Sequence, residues 1–341
     1  MPSRTRRFLP LLASLGGLAL VAVAARADSA LPVAAHPRGT VFTADARFPP
    51  RRSGPSAPAS RATAASVIGA DERVRITDTT AYPWRSIAWL GLYDAAGAFV
   101  GHCTGTFVGP DALLTAAHCL WNATTNAWTH DIAVVPGKDG EFEPFGYDWA
   151  ANWWVPDGYL ASGDERWDWG IIRMSTGGLG TDVGWLEVAE FATGTLSRDD
   201  FEPAIAGYPA DKQGDERDTL WAGLKERFLA VTPGDLYHEI DTYPGESGSP
   251  IFSVNASDPS IFARIAGVHT TGGDASNRGA RIDRALLADI LEGCRVMACT
   301  IRYAVESGAD SPPPDAPPAP VPPSEAPRPF RTFLPEIGTE K

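Results

Sequence analysis

The chain has 341 residues, a net charge of −13 and four cysteines, and 44% of its residues are hydrophobic. Residues 1–65 hold nine basic against two acidic residues, whereas residues 66–305 hold 17 basic against 34 acidic residues. So acidic a body excludes nucleic acid and anionic membranes as expected partners. A basic leader in front of it predicts a segment that lies on the body before removal, with a solvated linker as the alternative.

The first 27 residues have the pattern of a secretory signal peptide. Basic residues precede an apolar stretch at residues 9–25, and Ala25–Ala27 offers a small-residue cleavage pattern. A membrane anchor is the alternative, but the stretch is short for a span of about 20 residues. We therefore expect export, to the extracellular space or the periplasm. Residues 28–65 are rich in Ala, Pro, Arg and Ser; they cannot bury a core of their own, and we predict a propeptide there.

Residues 66–305 carry mostly β-strand signals, since short apolar runs alternate with turn residues, as in sandwiches and barrels. The clearest pattern is a hairpin in which Ile87–Tyr93 and Phe99–Val100 flank the turn-prone Asp94–Gly97. Four further strands are predicted, at Leu113–Leu114, Ile132–Val135, Trp169–Met174 and Phe262–His269.

One helix is predicted near the end of this region. Apolar residues recur at helical spacing from Ile282 to Leu291, and Gly293 can end the helix. Residues 306–341 are rich in proline, which predicts an extended or disordered tail.

The four cysteines, Cys103, Cys119, Cys294 and Cys299, fall into two close pairs. In an exported protein an even number of cysteines predicts disulfides, here two. A zinc site is the alternative, but neither pair combines Cys-x2-4-Cys spacing with nearby histidines. We therefore predict no metal site and no cofactor.

Three segments carry residues suited to acyl transfer, and they are centred on His118, Asp168 and Ser247. A serine nucleophile needs a base whose pKa is near neutrality and a buried carboxylate that holds this base in the right tautomer. The order His, Asp, Ser along the chain is that of the chymotrypsin class. We predict that these three residues form a catalytic triad.

Glycines flank Ser247 and permit a tight turn whose backbone N–H groups point at one spot. The amides of Gly245 and Ser247 are the predicted oxyanion hole, in which one donor lowers the barrier by about 3–4 kcal/mol. Gly-x-Ser-Gly alone is a common turn, and His118 alone fits a satisfied buried histidine. The three segments together favour a catalytic site over both alternatives.

Longer motifs in the body resemble those of the glutamyl endopeptidases, the V8-like branch of the chymotrypsin-type serine proteases. The likeness covers most of residues 66–282 and includes the opening Ser66–Arg73, the nucleophile loop Asp241–Pro250 and the strand Val268–Thr270. This resemblance implies an all-β fold of two packed antiparallel six-stranded barrels with a C-terminal helix. The barrels would divide near residue 190, with the site in the cleft between them.

The resemblance also implies cleavage after Glu, and more weakly after Asp. His269 and Thr242 occupy the positions of the family's pocket histidine and hydroxyl residue, where protonated His269 and Thr242 would donate to a substrate carboxylate. A structural histidine on a buried strand is the alternative for His269. An amino group freed at Ser66 would add positive charge near this pocket, which implies a zymogen and an activating protease.

Glu246 departs from this pattern, because the resembled family has an uncharged residue before the nucleophile. Trypsin-type enzymes have Asp there, which pairs with the new N-terminus.

The sequence thus predicts a secreted, monomeric serine endopeptidase that acts on proteins or peptides and binds its own propeptide before activation. Two alternatives stay open. One is a V8-like protease with another or a broad specificity. The other is an inactive homologue that binds a partner, for example through its Pro-rich tail.

Overall fold

The computed structural model of the chain describes residues 39–44 and 66–306. The predicted signal peptide, most of the predicted propeptide and nearly all of the predicted tail lie outside these residues. Among the described residues, no helix is both long and apolar enough to cross a bilayer.

Ten strands precede residue 175. They are β1 (Gly39–Thr43), β2 (Val74–Arg75), β3 (Ile87–Tyr93), β4 (Phe99–Phe107), β5 (Ala112–Thr115), β6 (Trp121–Asn122), β7 (Ala127–Trp128), β8 (Asp131–Pro136), β9 (Asp148–Pro156) and β10 (Gly170–Met174). The predicted hairpin is confirmed as β3 and β4, and its turn is stabilised by Asp94, whose Oδ1 accepts from the amides of Ala96 and Ala98 at 2.9 Å.

Six of these strands close the first barrel. Antiparallel neighbours follow the order β3-β4-β5-β10-β9-β8, and β8 pairs again with β3. Large apolar side chains such as Leu90, Phe107 and Trp153 are fully buried in its interior. β1 pairs with β9 outside this closed ring.

Nine strands follow. They are β11 (Glu187–Glu190), β12 (Pro203–Gly207), β13 (Trp221–Leu224), β14 (Ala230–Val231), β15 (Asp235–His238), β16 (Pro250–Ser253), β17 (Arg264–Gly272), β18 (Asn277–Arg281) and β19 (Tyr303–Val305). Together with β2 they form a ten-stranded sheet, in which β11 runs parallel to both β17 and β19. The predicted all-β, two-barrel class is confirmed. The second sheet exceeds six strands partly because short strands from both ends of the domain, β2 and β19, join it.

The α-helices are α1 (Asp157–Ser162), α2 (Gly178–Val183), α3 (Thr193–Leu196) and α4 (Arg284–Met297). The predicted C-terminal helix is α4, but it continues through Gly293 instead of ending there. Glycine is needed at this position for packing and not as a helix stop, since a Cβ on Gly293 would lie 3.0 Å from both Ile171 and Trp154 of the first barrel. The helix ends at Ala298, which has a left-handed conformation with φ of 55°.

Both predicted disulfides are present. Cys103 and Cys119 join β4 to the turn that carries His118, with a Cα–Cα distance of 6.2 Å. Cys294 and Cys299 join the last turn of α4 to the residue after its cap.

Candidate active site

His118 and Asp168 meet because their strands are neighbours. His118 lies in a short 3-10 turn after β5, Asp168 lies just before β10, and Thr115 of β5 pairs with Gly170 of β10. Nδ1 of His118 lies 2.7 Å from Oδ2 of Asp168, and the backbone N–H of His118 donates to Oδ1 at 2.8 Å. Asp168 is buried, and because both of its oxygens bond to His118, the histidine is held in one orientation.

The electrostatics of this pair determine the protonation of the imidazole. Burial disfavours the imidazolium, but the charge and hydrogen bond of Asp168 outweigh it and raise the pKa of His118 above its ordinary value of 6.5. Nε2 of His118 has no hydrogen-bond partner within the described part of the chain. This nitrogen is therefore placed to accept a proton from a nucleophile.

Ser247 lies in the turn between β15 and β16 and faces the same cleft as His118. The cleft has a volume of about 620 Å³ and is lined by strands of the first barrel and by loops that connect strands of the second sheet. The serine loop is attached to the first barrel, because the amide of Thr104 on β4 donates to the Ser247 carbonyl at 2.9 Å. Ser247 does not bond to His118 Nε2 here. Hydrogen bonds of this kind are often long in substrate-free enzymes and tighten on binding.

The backbone of the nucleophile loop is suited to an oxyanion hole. Among the described residues, the N–H groups of Gly245 and Ser247 have no acceptor. Gly245 has φ of 103°, and a Cβ there would lie 2.5 Å from His102 Nε2 and from the Tyr208 carbonyl oxygen. Only glycine fits this position. Its carbonyl accepts from Thr104 Oγ1 at 2.9 Å, which keeps the peptide unit oriented.

Thr242 and His269 lie behind the nucleophile loop and do not line the 620 Å³ cleft. Both are fully buried; Thr242 Oγ1 has no hydrogen-bond partner among the described residues, and the His269 ring contacts the Arg278 backbone without hydrogen-bond geometry. The backbone of His269 pairs with the loop on both sides, donating to the Ser249 carbonyl at 2.9 Å and accepting from Gly248 at 2.8 Å.

Without a bound carboxylate, the surroundings of His269 favour the neutral ring. Burial, followed by the charges of His238 and His118, lowers the pKa of His269 well below 6.5. The ring is therefore neutral in the substrate-free protein near pH 7. A neutral imidazole still donates one N–H to a carboxylate.

Sequence reasoning missed His238. It lies on β15 with its ring centroid 5.6 Å from that of His269, and its ring contacts the Ile240 backbone without hydrogen-bond geometry. Burial lowers the pKa of His238 to about 3. A signal was available, because His238 follows the buried Leu236 by two positions and so shares its face of the strand.

Ser66 lies next to Thr242, at the start of the predicted mature domain. Its N–H donates to Asn277 Oδ1 at 3.0 Å, and its carbonyl accepts from Asn277 Nδ2 at 2.7 Å and from the Thr242 amide at 3.3 Å. The structure thus brings Ser66 to Thr242, and Asn277 holds it there.

Glu246 is paired with an internal arginine. The Arg73 guanidinium lies 3.1 Å from Glu246 Oε2, and both side chains are almost fully buried. Burial raises the pKa of Glu246 to about 7, while Arg73 and the Tyr243 amide, which donates at 2.7 Å, oppose this shift. Arg73 also binds Asp71 at 2.9 Å and Asp211 at 2.6 Å. The sequence singled out Glu246 but not its partner.

The elevated pKa of His118 predicts a pH profile. Because only neutral His118 accepts a proton, kcat/KM should fall about tenfold per pH unit on the acid side, with a midpoint above 6.5. Initial rates on a peptide substrate across the pH range measure this limb. The variant His130→Asn is the control, since His130 is paired with Asp131 at 3.1 Å outside the triad and should leave the limb in place. A midpoint below 6.5 would contradict the assignment.

One group in the described part of the chain has a geometry that could hold a metal ion, Cys103, His118 and Cys119. The two sulfurs are bonded to each other, so they are not thiolates. The donor set does not fit a metal.

Comparisons with known proteins agree with this geometry. A family model described as Trypsin matches residues 78–286. The glutamyl endopeptidase of Bacillus licheniformis is 33% identical over 233 residues, which are 66% of this chain and 68% of the relative. A protein of Bacillus subtilis named extracellular metalloprotease is 33% identical over 226 residues, which are 66% of this chain and 68% of that protein.

Solved structures show the same fold. A Glu endopeptidase superposes with a TM-score of 0.59 at 27% identity, covering 66% of this chain and 98% of that chain. The protease Anisep of Arthrobacter nicotinovorans has a TM-score of 0.52 at 18% identity, with coverage of 65% and 99%, and supports the fold alone. The family match, which spans more than half of the chain, and the identity to the bacillary relative lead to one conclusion. The chain belongs to the trypsin family, in its V8-like, chymotrypsin-type branch, and is a serine endopeptidase.

Proposed function

We propose that this serine endopeptidase is secreted and cleaves peptide bonds after Glu, and more weakly after Asp, through an acyl-enzyme at Ser247. His118 takes the Oγ proton as Oγ attacks the carbonyl carbon. The amides of Gly245 and Ser247 stabilise the oxyanion. His118 then gives its proton to the leaving amine, while Asp168 stabilises the imidazolium. Water attacks the acyl-enzyme with His118 as base, which releases the acid and restores Ser247.

One observation carries the specificity for Glu. Thr242 Oγ1 and the nitrogens of His269 are buried directly behind the nucleophile loop; the hydroxyl has no partner among the described residues, and the histidine ring has only a contact with the Arg278 backbone outside hydrogen-bond geometry. A buried polar group without a partner costs about 1–3 kcal/mol, so such a cluster indicates a ligand. A glutamate side chain supplies the missing acceptors. Its negative charge would also favour protonation of His269, against the lowering that burial causes.

A peptide-library digest tests this specificity. The wild-type enzyme should cleave after Glu, and replacing that Glu with Gln should lower kcat/KM at least about 100-fold, because a site built for a carboxylate loses its charge partner. Thr242→Val removes the hydroxyl at nearly constant volume and should reduce this discrimination at least about tenfold.

Thr106→Val is the matched control, because Thr106 is equally buried with an unpartnered hydroxyl but lies on β4 of the first barrel. It should leave the Glu-to-Gln ratio unchanged. A preference for Arg or aromatic residues would refute the proposal in favour of another V8-like specificity.

Maturation is the other part of the proposal. The chain begins with the predicted signal peptide and propeptide, and the two disulfides suit an oxidising compartment. A cut before Ser66 would turn its amide into an amino group beside Asn277 and Thr242. The new positive charge would then lie close to the buried pair proposed to bind glutamate. The form that retains residues 28–65 lacks this charge.

A further inference from the structure

β1 adds a strand to a barrel that is already closed without it. One edge of β9 pairs with β10, and on the other edge Asp148 and Trp149 pair with β8. Beyond them, residues 152–156 on that second edge pair only with β1 among the described strands. Backbone groups on an unpaired edge bind any extended peptide of suitable shape. Residues 152–156 are therefore a binding edge, and β1 occupies it.

Side chains make this binding selective. The ring of Phe42 stacks between Trp153, at a centroid distance of 4.9 Å, and Trp128, at 5.4 Å, with interplanar angles of 27°. Gly39 lies directly on the indole of Trp154, where a Cβ would come within 1.7 Å. Val41, which pairs with Trp154 in the register, is itself 36% exposed. The edge thus accepts an extended segment with glycine and, three residues later, an aromatic ring.

Charge contributes little to this contact. β1 contains no charged residue, and its one side-chain hydrogen bond among the described residues is from Thr40 Oγ1 to Asp157 Oδ1 of α1 at 2.9 Å. The composition of the chain favoured a leader held on the acidic body by its arginines. The described part of the leader, residues 39–44, contains no arginine and is held by backbone pairing and aromatic packing.

The occupied edge adjoins the catalytic cleft. Trp128 contacts Phe42 and also lines the cleft with His118. The next residue, Thr129, donates from Oγ1 to the carbonyl of Cys119 at 2.7 Å. A segment bound at this edge therefore supports the cleft wall that follows the catalytic histidine.

We propose that residues 152–156 of β9, which include Trp154, form together with Trp128 an exosite for an extended Gly-x-x-Phe peptide. Its occupant is Gly39–Thr43 of this chain. This segment stays bound as a separate fragment after the chain is cut between Ala44 and Ser66. The maturation that creates the fragment rests on the proposed function, whereas the binding site does not.

The test uses the full chain with Ser247→Ala, which prevents self-cleavage, and with a recognition sequence for a site-specific protease inserted after Ser60. After cutting, size-exclusion chromatography and native mass spectrometry measure whether the N-terminal fragment stays with the body. We expect a one-to-one complex that survives about 1 M NaCl, since this salt screens charge but not aromatic packing. Hydrogen exchange should show protected amides in residues 152–156.

Variants locate the contact. Phe42→Ala and Gly39→Val should release the fragment at least about 30-fold faster, as expected for loss of a central aromatic anchor or for a clash with Trp154. Val41→Ala is the matched control, since it changes the neighbouring but exposed side chain and should retain the fragment. A Phe42→Ala fragment that stays bound like wild type would overturn the proposal. Release of the wild-type fragment at high salt would also overturn it, in favour of docking by charge.

A second measurement covers variants that fail to fold. A synthetic peptide of residues 36–47 should displace the labelled fragment from the cut Ser247→Ala chain whose leader is otherwise unchanged, and the same peptide with Phe42→Ala should not. Equal displacement by both peptides would refute the exosite. Because binding is read on an inactive variant without any Glu substrate, failure here is distinguishable from failure of the proposed specificity.

Discussion

Replacing Ser247 with alanine is expected to lower kcat by about 10⁴- to 10⁶-fold while leaving the fold intact. Ser247 is the proposed nucleophile, and without its Oγ no acyl-enzyme forms. Removal of a triad serine leaves a residual rate from the oxyanion hole and substrate binding. The measurement is kcat on a Glu-containing peptide, together with labelling by a fluorophosphonate probe, which requires an activated serine.

Ser249→Ala provides the matched control. Ser249 is buried two residues further along the same loop, and no described residue partners its hydroxyl. Its removal should change kcat by less than about tenfold and leave probe labelling intact. Undiminished turnover in Ser247→Ala would refute the triad. Absence of probe labelling in the wild-type enzyme would favour an inactive homologue.

Replacing Arg73 with methionine is expected to destabilise the protein by about 3–5 kcal/mol, because it leaves Glu246 buried without its cation. Asp71 and Asp211 lose their shared partner as well. Glu246 accepts from the Tyr243 amide within the nucleophile loop, so the oxyanion-hole backbone should also lose order. We expect slower probe labelling of Ser247 alongside the lower stability. Thermal unfolding and labelling rates measure the two effects.

The deficit should depend on pH in a defined direction. Glu246 has a pKa of about 7 in the folded protein against 4.5 ordinarily, so the folded state binds a proton that the unfolded state does not between these values. Its contribution to stability is therefore lost as pH rises through this range. Without Arg73 the pKa of Glu246 rises further, so the contribution of Glu246 to stability continues to fall at higher pH. The deficit of Arg73→Met should thus be larger near about pH 8.5 than near about pH 5.5.

Arg75→Met is the control for a lost surface charge. Arg75 lies two residues further along the chain, at the end of β2, and pairs with Asp139 at 2.7 Å, with both side chains partly exposed. Such a pair contributes about 1 kcal/mol or less. Equal loss of stability in the two variants, or a deficit of Arg73→Met that does not change with pH, would contradict the role given to the Arg73–Glu246 pair.

The buried Arg73–Glu246 pair also bears on how the enzyme would be activated. Trypsin-type enzymes hold the residue before the nucleophile with a new N-terminus, and here Arg73, the eighth residue of the predicted mature domain, contacts it. Ser66 instead binds Asn277 and Thr242. The loop that carries Ser247 is thus supported without a cut, and the cut would change the charge beside the proposed glutamate pocket.

The sequence by itself determined the features that depend on local chemistry. The all-β class follows from short alternating runs, and the two disulfides follow from close cysteine pairs. The triad candidates come from motifs only a few residues long, so no knowledge of distant contacts was needed to select them. Even Gly293, where the prediction failed, was recognised as a special position.

Only the tertiary structure decided the features that depend on contacts between distant parts of the chain. Arg73 and Glu246 are 173 residues apart, and many other basic residues were equally eligible partners. Nothing in the sequence near His238 indicated that its ring packs against that of His269, because the sheet brings the two together. Gly39–Thr43 lacks enough apolar residues to form a core of its own, so its strand exists because β9 offers an open edge and two tryptophans beside it. Backbone pairing and burial of this kind depend on the partner's position, which composition and spacing do not specify.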